Sequence, residues 1–176
     1  MSATVAKDMG HDVARLLAPS PSFRHFVYDE AKVATWAEHL MNDKYHVSDE
    51  DRRPEIIYER IHWLLSGMAI NVTYEIGDMA GILSFNNIIP YHKATLHWAM
   101  WDMGIFGKSG VRETIALLDI IMDSFKLTRI GSNTPDPKVL KLAQLLGFKH
   151  EGTARKEYRW NGELYDTYLL GRMKEN

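Results

Sequence analysis

The residues best suited to chemistry stand directly before a long amphipathic segment, residues 111–125, in which apolar residues recur at helical spacing. The four residues before it are Gly107, Lys108, Ser109 and Gly110. A helix begins with unpaired backbone N–H groups and a positive dipole end, and a glycine lets the backbone approach phosphate oxygens. The segment therefore predicts a phosphate site at the start of a helix, although Ser109 is also suited to capping that helix.

The same segment looks like the end of a P-loop, the phosphate-binding loop of many nucleotide hydrolases. That motif requires Gly-x-x-x-x-Gly-Lys-Ser/Thr, which would place a glycine at position 102. Asp102 stands there instead, and the preceding strands look like a hairpin ladder rather than the parallel start of a P-loop fold. The sequence therefore argues against an NTPase.

Hydrophobic periodicity predicts the element order β-α-α-β-β-β-α-β-α-β-β. Predicted strands cover residues 23–28, 69–76, 79–86, 94–101 and 127–131, and predicted helices cover residues 31–41, 54–65, 111–125 and 138–146. A final hairpin turns at Asn161-Gly162, which suits a two-residue type I′ turn. The order predicts an α/β (α+β) mixed sheet with helices on both faces. We expect one domain over residues 1–176, with residues 1–21 the least defined part.

Local sequence near the C-terminus narrows the fold further. Leu146-Gly147-Phe148 ends a predicted helix, and Glu151-Gly152, Arg155 and Asp166 follow it. With the stretch from Trp101 to Val111, these features resemble the GNAT superfamily of acyl-CoA-dependent N-acyltransferases. The resemblance covers roughly residues 22–173. It is closest to the branch that acetylates ribosomal proteins and other protein N-terminal amines.

This resemblance implies acetyl-CoA as the co-substrate. It assigns the pyrophosphate to the glycine-containing segment and the pantetheine arm to the end of the strand before it. The implied cofactor-binding residues are Ala99, Met100, Trp101, Asp102, Gly107, Lys108, Ser109, Gly110, Val111, Arg112, Asn133 and Asp136.

The implied reaction is attack of a neutral amine on the thioester carbonyl. It needs a base, a donor to the developing oxyanion and an acid for the leaving thiolate. His97 lies mid-strand, near where some relatives place a catalytic group, and titrates in the useful range, so it is the candidate base. Tyr158 and Tyr168, on the final hairpin, are the candidate acids. The structural alternatives are a half-buried strand histidine and cross-strand aromatic packing.

The amine acceptor is expected in a groove between the first two helices and the last hairpin, with Glu30, Trp36 and Trp63 as candidate contacts. Glu30 equally suits a helix start, and the tryptophans equally suit a core. Glu59 and His62 are spaced like a metal pair on one helix, but the sequence offers no third ligand, so no metal is assigned.

Two positions depart from the family pattern. Arg112 stands where a small residue usually permits close approach to phosphate, and Asp136 stands where an asparagine usually precedes the last helix. Asn133 is the nearest amide. These departures favour an alternative hypothesis, a catalytically inactive binding module of the same fold that acts through protein–protein interaction.

Composition sets the remaining bounds. The chain has 176 residues, no cysteine and a formal net charge of −2. The lack of cysteine excludes disulfides and a cysteine nucleophile, and the charge argues against broad capture of nucleic acid. The N-terminus lacks a signal-peptide run and no stretch is long enough to span a bilayer, so we expect a cytoplasmic protein without a membrane partner. Acetyl-CoA and an amine acceptor, such as a protein, are the expected partners, and the relatives suggest a homodimer.

Overall fold

The computed structural model describes residues 20, 22–42, 44, 47–65, 70–102 and 108–174. Within these residues the strands are β1 (Phe23–His25), β2 (Val72–Ile76), β3 (Gly81–Ile89), β4 (Lys93–Met100), β5 (Arg129–Thr134), β6 (Lys149–Trp160) and β7 (Glu163–Met173). The helices are α1 (Glu30–Asn42), α2 (Pro54–Leu65), α3 (Lys108–Ser124) and α4 (Pro137–Leu145). The predicted order of elements is confirmed, and the observed ends differ from the predicted ones by a few residues.

All seven strands form one sheet in the order β1-β2-β3-β4-β5-β7-β6. Only the β4–β5 pair is parallel among the pairs of this sheet. A parallel pair needs a crossover, and α3 supplies it. The predicted mixed sheet is therefore confirmed.

Helices cover both faces of the sheet, each over its own apolar core. One core lies under α3 and α4 and includes Leu83, Leu96 and Leu118. The other lies under α1 and α2 and includes Trp36, Ile61 and Ile82. Ile82 and Leu83 are neighbours on β3 that serve opposite cores, as the alternation of side chains along a strand requires. The predicted helices on both faces are thus confirmed.

The face under α1 and α2 also carries buried polar side chains. Thr73 and Ser84 share a hydrogen bond of 2.7 Å, and Ser84 Oγ donates to Asn86 Oδ1 over 2.7 Å. Glu75, also buried, pairs with Lys32 of α1. Each of these four side chains thus has at least one polar partner. The part of this sheet face formed by β2 and β3 therefore makes polar contacts as well as apolar ones.

The two central strands separate along their length. The parallel ladder between β4 and β5 ends at the Thr95–Gly131 pair, whereas the ladder between β3 and β4 continues to the Gly81–Met100 pair. Just past the last pair, Ser132 Oγ donates to the Leu96 carbonyl over 3.0 Å. The β5-facing edge of the last part of β4 therefore borders a gap in the sheet.

Among the described helices, none has both the length and the apolar character needed to cross a membrane.

Candidate functional site

The gap between β4 and β5 opens into a cavity of about 950 Å³. Its wall comprises residues of β3, β4 and β5, of α1 and α2 on one face, of α4 on the other face, and of the β6–β7 hairpin. Elements on both faces of the sheet therefore border the cavity.

The structure brings four of the six sequence-predicted catalytic and acceptor residues to this cavity, and four of the twelve predicted cofactor residues. Those that line it are Trp36, Trp63, His97, Ala99, Met100, Asn133, Asp136 and Tyr158. They come from five elements and one loop, so the sheet gap is the feature that unites them.

His97 projects from β4 into the cavity, on the face covered by α1 and α2. Its side chain is exposed to solvent and lines the cavity. Desolvation lowers the pKa of His97 below its usual 6.5, and the positive charge of Arg60, another lining residue, lowers it further. The imidazole is therefore neutral at pH 7 and able to accept a proton.

Tyr158 reaches the cavity because of an irregularity in β6. Ala154 pairs with Thr167 and Tyr158 pairs with Tyr165, so residues 155–157 lie opposite Asp166 alone. Lys156 takes a left-handed φ of 56°, and its N–H donates to the Asp166 carboxylate over 3.0 Å. The bulge breaks the alternation of the strand, which lets the consecutive residues Glu157 and Tyr158 both line the cavity.

The Tyr158 hydroxyl donates to the carbonyl oxygen of Lys44 over 2.8 Å. Lys44 belongs to the connection between α1 and α2, and its ammonium lies 4.5 Å from the centre of the Tyr165 ring. The hydroxyl thus ties the hairpin to this connection as well as facing the site.

The same connection also contacts the tip of the hairpin, residues 160–162. The Asp49 carboxylate accepts the N–H groups of Asn161 and Gly162 over 2.9 Å and 2.8 Å, and these bonds lower the pKa of Asp49. Arg52 lies 4.1 Å from the centre of the Trp160 ring. Asn161 and Gly162 have φ of 49° and 79°, which confirms the predicted type I′ turn. One wall of the cavity is therefore held together by contacts between residues far apart in sequence.

Several predicted residues lie elsewhere. Tyr168 does not line the cavity; its ring lies edge-on to His150 with the ring centres 5.7 Å apart. Trp101 stacks on His39 at 4.4 Å and donates its indole N–H to the Met79 carbonyl. Glu30 is an exposed residue in the first turn of α1. The structure therefore gives these three residues packing or helix-start positions away from the cavity.

The predicted phosphate segment is only partly described. Gly107 lies outside the described residues, and α3 begins at Lys108. Ser109 is exposed, while Gly110 is buried and its carbonyl accepts the Thr114 hydroxyl over 2.8 Å. Val111 is partly buried, and Asp102 and Arg112 are exposed. None of these described residues lines the cavity, so the phosphate site stays a prediction.

Asp136 has a clear local role. It is the N-cap of α4, with its Oδ1 accepting the Lys138 N–H over 2.8 Å, and Pro137 follows at the first helical position. A carboxylate is favourable at a helix N-terminus. Asn133, by contrast, is exposed at the cavity wall on β5. The aspartate thus replaces the expected asparagine without a loss of helix capping.

Sequence reasoning missed several residues that line the cavity: Arg60, Ser84, Asn86, Glu157 and Thr167. The alternation of polar residues at positions 84 and 86 in an otherwise apolar strand was a signal that could have pointed to two of them. Within the described part of the chain, no group of three His, Asp or Glu side chains is placed to hold a metal ion.

Known proteins resemble this chain in structure rather than in sequence. Neither a family model nor a curated protein sequence matches it. A spermidine N-acetyltransferase from Vibrio cholerae, solved with CoA and spermine, has a TM-score of 0.67 at 16% identity over 88% of this chain and 96% of its own. A ribosomal-protein-S5-alanine acetyltransferase from Vibrio fischeri has a TM-score of 0.63 at 21% identity over 88% and 94%.

A ribosomal L7/L12 alpha-N-protein acetyltransferase, solved with coenzyme A, is also similar, with a TM-score of 0.63 at 18% identity over 89% and 97%. These proteins are GNAT acetyltransferases, and the ribosomal-protein branch is among them. The predicted GNAT fold is therefore confirmed.

Proposed function

We propose that the protein is an N-acetyltransferase that moves the acetyl group of acetyl-CoA to a primary amine of a protein, a peptide or a small molecule. The observation that carries this proposal is the separation of β4 from β5. It creates a cavity that crosses the sheet and has His97 on its wall. The three solved structures compared above share this fold and are acetyltransferases, two of them with CoA bound.

The co-substrate would enter from the face covered by α3 and α4. Beyond Thr95, the β5-facing edge of β4 offers backbone groups to the amides of a pantetheine arm, along residues 96–100. The start of α3, with Ser109 and Gly110, offers N–H groups and a positive dipole end to the pyrophosphate. By the resemblance, Gly107, Lys108, Asn133 and Asp136 complete this set.

The acceptor would enter from the opposite face, past α2 and the hairpin. Its neutral nitrogen attacks the thioester carbonyl, so that a C–N bond forms and the C–S bond breaks. One proton leaves the nitrogen and one proton is taken up by the departing thiolate, which leaves the proton balance unchanged. His97 removes the first of these protons, because the imidazole is neutral and accessible from the cavity.

Tyr158 supplies the second proton. Its hydroxyl lies on the cavity wall and donates to the Lys44 carbonyl in this structure. A rotation of the hydroxyl about its C–O bond redirects the proton without moving the ring.

The alternative hypothesis, an inactive binding module, depended on Arg112 and Asp136. Asp136 caps α4, and Arg112 is exposed on α3 beside Glu113, whose pKa it helps to lower. Neither side chain closes the cavity, so no observation favours the alternative over the enzyme.

Calorimetric titration of acetyl-CoA, with desulfo-CoA and ATP as comparisons, tests the first half of the proposal. We expect micromolar binding of both CoA compounds and none of ATP. The second half needs a free-thiol assay with a panel of primary amines, in which His97→Ala should lower kcat by about a hundredfold or more. An absence of acetyl-CoA binding at millimolar concentration, with the fold intact, would overturn the proposal.

A further inference from the structure

The side-chain amide of Asn86 points to one class of acceptor. Asn86 is only 2% exposed, yet it lines the cavity. Its Oδ1 accepts the Ser84 hydroxyl, and its Nδ2 donates to no residue that the structure describes. Nδ2 is not one of the fully buried atoms that lack a partner, so it is open to the cavity, where a ligand or water can accept its hydrogen bonds.

The orientation of this amide is fixed by a chain of hydroxyl groups. The separation of 2.7 Å between Ser84 Oγ and the Asn86 side chain suits an O–H···O bond better than an N–H···O bond. Ser84 has a single hydroxyl proton, which goes to Asn86, so Thr73 must donate to Ser84 across their 2.7 Å contact. Oδ1 is thereby held against Ser84, and the two N–H groups are what the amide offers to the cavity.

Asn86 and His97 share one face of the sheet. Asn86 lies opposite Thr95, and Ser84 lies opposite His97 on the same ladder. Residues two apart on a strand lie about 7 Å from each other, so their side chains can contact the same small molecule. An acceptor whose nitrogen lies at His97 therefore brings an oxygen two or three bonds away within reach of Asn86.

We propose that Asn86 donates a hydrogen bond to an oxygen of the acceptor and so selects amines with a carbonyl close to the reacting nitrogen, as at a peptide N-terminus. This inference rests on the proposed acetyl transfer. A polyamine at neutral pH carries only N–H donors, which cannot satisfy the N–H groups of Asn86. Arg60, on the same cavity wall, also opposes a second positive charge, although Asp51 lies 2.8 Å from it.

The test compares two amines that share a carbon skeleton. Leucinamide has a carbonyl next to its amine-bearing carbon, and 3-methylbutylamine lacks the carboxamide. In Asn86→Asp the retained oxygen still accepts from Ser84 while the donors are lost. We expect kcat/KM for leucinamide to fall roughly three- to tenfold relative to 3-methylbutylamine, the range for one neutral hydrogen bond. Spermidine should gain relative to leucinamide.

The matched control is Asn87→Asp, which makes the same chemical change at an exposed neighbour that also lines the cavity. It should leave the ratio between the two amines unchanged, because a charge nearby acts on both amines alike. Ser84→Ala is the second variant. It removes the group that orients the amide, so the ratio should fall in the same direction by a smaller factor. Equal changes for both amines in Asn86→Asp would overturn the inference.

Equilibrium binding of the same two amines to the desulfo-CoA complex separates this inference from the proposed function, because it needs no turnover. Preferential binding of leucinamide that is lost in Asn86→Asp, without any acetylation, would support the acceptor site and refute the enzyme. Acetylation of both amines with the same Asn86 dependence would support the enzyme and refute the role of Asn86.

Discussion

Ser84 lies directly opposite His97 across the ladder between β3 and β4, on the face that lines the cavity. The Ser84 hydroxyl is engaged by Thr73 and Asn86, and His97 makes no hydrogen bond to a described residue. These hydrogen bonds therefore hold the Ser84 side chain in place next to His97, and the ring nitrogens of His97 stay available to a ligand.

The lowered pKa of His97 predicts the pH dependence of the enzyme. Desolvation and Arg60 both disfavour the imidazolium. Once kcat/KM is expressed per neutral amine, so that protonation of the acceptor is removed, it should therefore hold its value as the pH falls through 6.5 and decline only below it. The same shift makes the folded state lose stability as the pH falls below 6.5, since the unfolded chain then binds the proton more readily.

Arg60→Gln tests the cause of this shift. Removal of the guanidinium should raise the pKa of His97 and move the acid limb of the kcat/KM profile to higher pH. Arg53→Gln is the matched control, because Arg53 is exposed, pairs with Glu55 at 4.0 Å and does not act on His97. Identical acid limbs for wild type and Arg60→Gln would show that another group controls the profile.

The close approach of β3 to β4 predicts an effect at Gly81. A Cβ at Gly81 would lie 2.6 Å from the carbonyl oxygen of Ala99, so β4 would have to shift where it borders the gap. We expect Gly81→Ala to lower the free energy of unfolding by about 1–3 kcal/mol and to weaken acetyl-CoA binding. Urea unfolding and calorimetry measure the two effects.

Gly131→Ala is the control for Gly81→Ala. Gly131 is also a strand glycine beside the gap, but the nearest atoms to its Cβ would lie 3.9 Å and 4.0 Å away. Its substitution should therefore cost much less stability and leave binding intact. Equal losses for the two variants would mean that the space at Gly81 does not constrain β4.

The sequence predicted the helices and strands around the cavity better than the residues that line it. Element order follows from periodicity, and Gly147, with φ of 85°, ends its helix as its residue type suggests. These features are local, because they depend on neighbours within one turn of helix or one strand. His97 was chosen from its type, its place in a strand and the position of catalytic groups in relatives; it lies on the cavity wall, and its catalytic role stays a prediction.

The wall depends on contacts that local patterns do not encode. Alternation along β6 assigns Glu157 and Tyr158 to opposite faces, but the bulge opposite Asp166 brings both to the cavity. The orientation of the Asn86 amide depends, through Ser84, on Thr73 of β2, which is far from these residues in sequence. Tyr158 and Tyr168 are both tyrosines of the hairpin. Only the three-dimensional structure shows that Tyr158 lines the cavity and Tyr168 does not.

Tyr158→Phe tests the proposed acid. Loss of the hydroxyl should lower kcat by about a hundredfold or more, because the thiolate then leaves without a positioned proton donor. Tyr165→Phe is the matched control, since Tyr165 lies opposite Tyr158 on β7 and its hydroxyl donates to Glu163 instead. A stopped-flow measurement of thiol release compares the two variants, and an equal loss in both would remove Tyr158 from the chemical step.

The hydrogen bonds of Asp49 predict that the conformation of the hairpin tip depends on this carboxylate. It accepts two backbone N–H groups of the turn, and these bonds lower its pKa, so its stabilising effect is present at neutral pH and is lost as the pH falls through that lowered pKa. Asp49→Ala should speed hydrogen exchange at the Asn161 and Gly162 amides, and it should raise KM for the acceptor while acetyl-CoA affinity stays the same. Glu50→Ala is the control, because the one ion pair of Glu50 with a residue that the structure describes is with the Arg159 side chain, at 3.2 Å. If Asp49→Ala leaves both amides protected, contacts other than the carboxylate hold the tip, such as the bond from the Asp49 N–H to the Arg159 carbonyl and the contacts of Arg52. The wall of the acceptor groove then does not depend on the carboxylate.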